Sequence, residues 1–170
     1  MPDAIILVGP PAVGKTTVGA ALARQLGLEF VDVDLLIEAR EGRPISEIFA
    51  TEGEPGFRSK ELAATLEALD GGGVVALGGG AVTNPQLRAA LVGRQVVWLR
   101  ASVREAVKRV GQTTTRPLLV GDVAGKWSDL AASREPLYAE VATIEVSTDH
   151  RTPAQVAREV IRALADEEAR

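Results

Sequence analysis

Short apolar runs alternate along this chain with longer stretches in which apolar residues return every three or four positions. Residues 4–8, "AIILV", form a continuous run, as a strand buried on both faces requires. Over 16–26, Val18, Ala21, Leu22 and Leu26 keep helical spacing, and Gly27 is placed to stop the helix. The same rhythm predicts strands at 29–33, 74–77, 95–99 and 144–147. It predicts helices at 35–41, 45–51, 57–69, 85–91, 103–109 and 153–165. Asn84 suits the cap of the helix at 85, and Pro153 the first turn of the last one. "SREPLYAE" reads as an amphipathic helical stretch interrupted by Pro136. Five strands alternating with helices predict an α/β fold, with a parallel sheet covered on both faces in one domain over 1–170. Only 111–122, "GQTTTRPLLVGD", breaks the rhythm; long irregular segments of this type often serve as lids.

Bulk properties narrow the class. A chain of 170 residues, 46% hydrophobic and 25% charged, suits one domain with a sizeable core. Without cysteine there are no disulfides or thiolate metal sites. A strand that begins within a few residues leaves no room for a signal peptide, and no apolar run reaches bilayer length. We therefore expect a cytoplasmic protein that binds no membrane. A net charge of −4 with scattered arginines argues against nucleic acid. The single histidine, His150, reads as a solvated loop residue.

The chemistry begins after the first strand. In "GPPAVGKTT", Gly9, Gly14, Lys15 and Thr16 fit G-x-x-x-x-G-K-[ST], the phosphate-binding loop, in its strand–loop–helix context. The loop comprises Gly9, Pro10, Pro11, Ala12, Val13, Gly14, Lys15, Thr16 and Thr17. Such a loop gathers backbone N–H groups into one concavity at a helix N-terminus, where phosphate is favoured. Lys15 is positioned to reach the β- and γ-phosphates, and Thr16 to ligate Mg²⁺. The stretch is expected to hold a nucleoside triphosphate.

Other groups suit an acceptor. Asp32 and Asp34, two apart at the end of the second strand, are expected on one side of it, beside the phosphate loop. One suits the Mg²⁺ shell and the other a substrate hydroxyl; Asp34 also suits a helix cap. Gly78, Gly79 and Gly80 follow the third strand and offer bare backbone N–H donors. Arg58, Arg109, Arg116 and Arg134 lie in or near these segments, and arginine suits carboxylate and phosphate. Phe49 and Phe57 suit either an apolar wall or the core. No N-K-x-D motif is present, and the strands at Val74 and Val96 end without an acidic residue.

"GPPAVGKTT", "DVD", "IFATEGEPGFR", "LGGGAV", "TRPLL" and "REPLY" occur in the order and spacing that resemble shikimate kinase, from Ile5 to about Pro153. The resemblance implies a three-layer, nucleoside-monophosphate-kinase-like P-loop fold. Its parts are a core, an acceptor-binding helical region over about 34–61 and a mobile lid at about 111–122. It implies transfer of the γ-phosphoryl of ATP to the 3-hydroxyl of shikimate, a step of chorismate and aromatic amino-acid biosynthesis. By the same resemblance Asp34, Arg58, Gly80 and Arg134 contact shikimate. Lys15 and Arg116 contact phosphates, Thr16 and Asp32 serve Mg²⁺, and Arg109 and the loop ending at Pro153 flank adenine. Asp34 is the candidate base. A monomer is expected. The rivals are a kinase for another small polyol or acid, such as gluconate, and a nucleotide-binding regulatory module without transfer activity.

Overall fold

The computed structural model describes residues 3–110 and 123–170; the expected lid at 111–122, with Arg116, lies outside them. Among the described residues five strands form one sheet: β1 (Ile5–Val8), β2 (Phe30–Asp32), β3 (Val74–Ala76), β4 (Gln95–Arg100) and β5 (Ile144–Ser147). Their order is β2-β3-β1-β4-β5, and every pairing is parallel. Among the described residues seven α-helices accompany them: α1 (Lys15–Leu26), α2 (Val33–Glu41), α3 (Ile45–Asp70), α4 (Pro85–Leu91), α5 (Val103–Val110), α6 (Val123–Val141) and α7 (Pro153–Glu168).

The continuous apolar runs are explained by the two faces of the sheet. Successive strand residues point to opposite sides. Ile6, Val8, Val75, Leu77, Val96 and Trp98 join a core with Ile37, Ile48, Phe57, Leu87 and Tyr138 on one face. Ile5, Leu7, Val74, Ala76, Val97 and Leu99 join a core with Val18, Leu22, Val156 and Val160 on the other. The strand order reverses at β1, between its neighbours β3 and β4. In open α/β sheets the crevice at such a point, beyond the carboxyl ends of the strands, is where ligands bind.

Most helix ends fall where the sequence placed them. Gly27 and Gly42 close α1 and α2 in the left-handed conformation. Asn84 caps α4 through the Gln86 amide, and Thr152 with Gln155 forms a capping box at α7.

The helices expected at 45–51 and 57–69 are both present, joined in α3 across a kink at Gly53 (φ 72, ψ 177), with Pro55 opening the second. Two other expectations are corrected. Asp34 is not in a strand: β2 ends at Asp32, and Asp34 lies in the first turn of α2. The alternation argument therefore does not apply to the pair, and Asp32, not Asp34, caps α2 by accepting from the Leu35 amide. Pro136 does not interrupt its helix; α6 runs through it from Val123 to Val141.

Candidate functional site

The phosphate loop leaves β1 and enters α1 with Gly14 in the left-handed region as N-cap. Gly9 is required by a close approach, since a Cβ there would sit 2.5 Å from the Leu99 carbonyl oxygen. Ala12 adopts φ 63, a conformation that costs an L-residue energy. Val13 points into the core and is fully buried. The Lys15 ammonium donates to the carbonyls of Gly9 (2.7 Å) and Pro10 (2.8 Å), and Thr17 Oγ1 donates to the Gly14 carbonyl (3.2 Å). Thr16 Oγ1 donates to Asp32 Oδ2 at 2.5 Å, so the two residues expected to serve a metal are in contact.

Distant side chains brace this loop from outside. Arg109 Nη1, on α5, donates to the carbonyls of Ala12 (3.2 Å) and Val13 (2.9 Å) and to Thr148 Oγ1. Arg109 thereby joins the phosphate loop to the segment after β5, which leads to Pro153 at the start of α7. Trp127 Nε1, on α6, donates to the Pro11 carbonyl at 2.7 Å.

The acceptor-side residues gather at the end of β3. A Cβ at Gly78 would lie 2.7 Å from Asp34 Oδ1 and 2.8 Å from Glu61 Oε2, so two carboxylates converge on that glycine. A Cβ at Gly80 would collide with the Arg58 guanidinium, and one at Gly79 would meet the Pro11 ring at 3.0 Å. Arg58 pairs with Glu61 Oε1 at 2.8 Å and reaches Glu54 at 3.4 Å. Arg134 is 7% exposed and sits beside the Tyr138 hydroxyl and the Glu61 carboxyl. Tyr138 donates to the Gly79 carbonyl at 2.6 Å. Phe49 and Phe57 stack with centroids 4.8 Å apart, and the Arg58 guanidinium lies 5.3 Å from the Phe57 ring. Phe57 belongs to the buried core, with half-buried Phe49 packed against it.

Burial dominates the electrostatics here. It pushes the Glu61 carboxyl above its ordinary range, against the pull of Arg58 and Arg134. It also raises the Tyr138 phenol to about 12, so this hydroxyl remains a proton donor at neutral pH.

Sequence reading missed Glu61, Trp127 and Tyr138. Two had a local signal: Glu61 lies three residues after Arg58, and Tyr138 four after Arg134, both one helical turn away. Trp127 had none, because its partner lies 116 positions away in the chain. The expected phosphate contact Arg116 falls outside the described residues.

Comparison with known proteins shows the family. Residues 11–165 match the family model described as shikimate kinase. The chain is 52% identical over 166 residues to the shikimate kinase of Salinispora arenicola (strain CNS-205), covering 97% of this chain and 99% of the relative. It is 50% identical over 161 residues to that of Mycobacterium avium (strain 104), covering 94% and 92%. Among solved structures, the shikimate kinase of Acinetobacter baumannii in complex with shikimate superposes with a TM-score of 0.93 at 37% identity, over 100% of this chain and 97% of that one. A gluconokinase from Sinorhizobium meliloti 1021 shares the fold at a TM-score of 0.61 and 22% identity, over 97% and 93% of the two chains. The chain belongs to the shikimate kinase family.

Proposed function

We propose that this chain transfers the γ-phosphoryl group of ATP to the 3-hydroxyl of shikimate. The observation that carries the reading is the convergence of Arg58, Arg134, Asp34 and the Gly78–Gly80 turn beside a complete phosphate loop. Arg58 and Arg134 match the single carboxylate of shikimate, and the Asp34 carboxylate accepts from a ring hydroxyl. That hydroxyl oxygen forms a bond to the γ-phosphorus as the bond to the bridging oxygen of ADP breaks. The hydroxyl proton passes to Asp34 or to water. In a loose transition state that proton leaves late, so Asp34 contributes as much by alignment as by basicity. Lys15 moves from the Gly9 and Pro10 carbonyls onto the phosphates and neutralises developing charge there. We assign the same role to Arg116, and an adenine-flanking role to Arg109 and Pro153.

The donor set fits Mg²⁺. Thr16 Oγ1 and Asp32 Oδ2 are adjacent hard oxygens, and this ion is commonly held by one or two protein oxygens together with substrate phosphates and water. When bound, Mg²⁺ supplies positive charge to the β- and γ-phosphate oxygens. Among the described residues no helix is long and apolar enough to cross a membrane. We place the enzyme in the cytoplasm as a monomer acting on small molecules.

The test is an acceptor screen read by ³¹P NMR, with ATP, Mg²⁺ and shikimate, gluconate or nucleoside monophosphates. The expected product is a phosphate monoester on shikimate alone. An ester formed on gluconate or a nucleotide instead overturns the reading.

A further inference from the structure

Helix α6 touches both halves of the site through two aromatic side chains. Trp127, 3% exposed, donates through Nε1 to the Pro11 carbonyl at 2.7 Å. Three turns along the same helix Tyr138, 1% exposed, donates to the Gly79 carbonyl at 2.6 Å. The two loops they hold also meet each other, since a Cβ on Gly79 would press on the Pro11 ring at 3.0 Å. Trp127, Pro11, Gly79 and Tyr138 thus form a closed circuit between one rigid helix and the two binding loops.

The bonds matter because of what they do to the opposite side of each peptide. In a planar trans peptide the C=O of one residue and the N–H of the next point in opposite directions. Trp127 holds the Pro11 carbonyl, so the Ala12 N–H points away from α6. Arg109 holds the carbonyls of Ala12 and Val13, which directs the N–H groups of Val13 and Gly14 away from α5. Three successive carbonyls of the loop are each held by an outside donor, and one of the residues concerned, Ala12, is kept at φ 63. On the acceptor side, Tyr138 holds the Gly79 carbonyl and turns the Gly80 N–H toward the opposite side. The Tyr138 oxygen also lies beside the Arg134 guanidinium.

We propose that Trp127 and Tyr138 are positioning residues for phosphoryl transfer. Trp127 sets the direction of the phosphate-loop amides for the nucleotide. Tyr138 sets the Gly80 amide and Arg134 for the acceptor. Their common helix fixes the spacing of donor and acceptor. The proposal rests on the function proposed above, and the two fail separately in the following experiment.

Trp127 belongs to a small buried cluster with Ala106, so truncation would remove packing as well as the hydrogen bond. Site-specific replacement of Trp127 by benzothienylalanine keeps the bicyclic ring and puts sulfur where the N–H was. Tyr138→Phe removes one oxygen. For each variant, calorimetric titration gives the Kd of ATP and of shikimate separately, steady-state kinetics give kcat and each KM, and thermal unfolding reports folding. Loss of one hydrogen bond is expected to weaken its own ligand by about fivefold. The Trp127 variant should weaken ATP and leave shikimate binding unchanged, and Tyr138→Phe should do the reverse. A purely structural role would lower the unfolding temperature and move both constants together; that result, or no change in either constant, overturns the proposal. ATP titration needs no acceptor, so it decides the role of Trp127 even if the wild-type chain fails to phosphorylate shikimate, a failure that would remove the proposed function.

Discussion

The phosphate loop and the acceptor pocket are neighbours at the carboxyl ends of β1 and β3, but they are made of different material. The loop is nine consecutive residues, and its binding surface is backbone, shaped by Gly9, Gly14 and the strained Ala12. The pocket is made mostly of side chains, from three helices, set against one backbone turn: Asp34 on α2, Arg58 and Glu61 on α3, and Arg134 with Tyr138 on α6, around the Gly78–Gly80 turn. Polyphosphate presents charge and many acceptor oxygens, which a ring of amides and one lysine satisfies. A small ring acid with hydroxyls has to be matched point by point, with guanidinium against carboxylate and carboxylate against hydroxyl. In the proposed function the first region binds a class of molecule, and the second selects within a class.

Substitutions should therefore separate by region. The largest effect is expected at Lys15, the one charged side chain of the phosphate loop. Lys15→Met should fold and lose turnover by about a hundredfold or more, since it removes charge stabilisation in the transition state. Near-normal kcat in a folded Lys15→Met protein would refute its assignment. Arg58→Ala and Arg134→Ala come next. Each should raise the shikimate Kd by about tenfold or more, the worth of a charge-assisted hydrogen bond, while sparing ATP. Titration with both ligands checks this, and weakened ATP with intact shikimate binding would move that arginine to the donor side.

A smaller effect is expected at Gly80. Its backbone (φ −99) tolerates alanine, but the new methyl would displace the Arg58 guanidinium. Gly80→Ala should raise the KM for shikimate by about fivefold, the value of one hydrogen bond, with little change in unfolding temperature. An unchanged KM would show that Arg58 does not need its present position.

The smallest effect concerns pH. Burial raises the Glu61 pKa in the folded state, so its stabilising contribution is complete below the ordinary value of 4.5 and is lost as pH rises through the raised value. Relative to Glu61→Gln, the wild type should lose stability from pH 4.5 upward, as read by urea unfolding across that range. The opposite slope would mean that the Arg58 ion pair outweighs burial.

The contrast between the regions also decides what sequence could reveal. The phosphate loop was legible because its function is coded by adjacent residues, whose spacing is itself the geometry. The parallel sheet was legible because strands buried on both faces leave continuous apolar runs such as Ile5 to Val8. Asp34 was found by type, but the strand alternation used to place it does not apply, because the chain turns into α2 at Val33. The arginines were visible as residues, yet only the topology brings Arg134 from α6 beside Glu61 of α3. The Trp127–Pro11 bond spans 116 positions and leaves no periodic trace. Long-range contacts of that kind are set by packing, which no local pattern records.

The most direct test of the whole account is ADP release by the wild-type chain in a coupled assay, with ATP and Mg²⁺ present and shikimate either present or absent. ADP should appear rapidly and saturably with shikimate and only at background rate without it. Equal rates in the two conditions would contradict the acceptor assignment, and no ADP in either would contradict phosphoryl transfer itself.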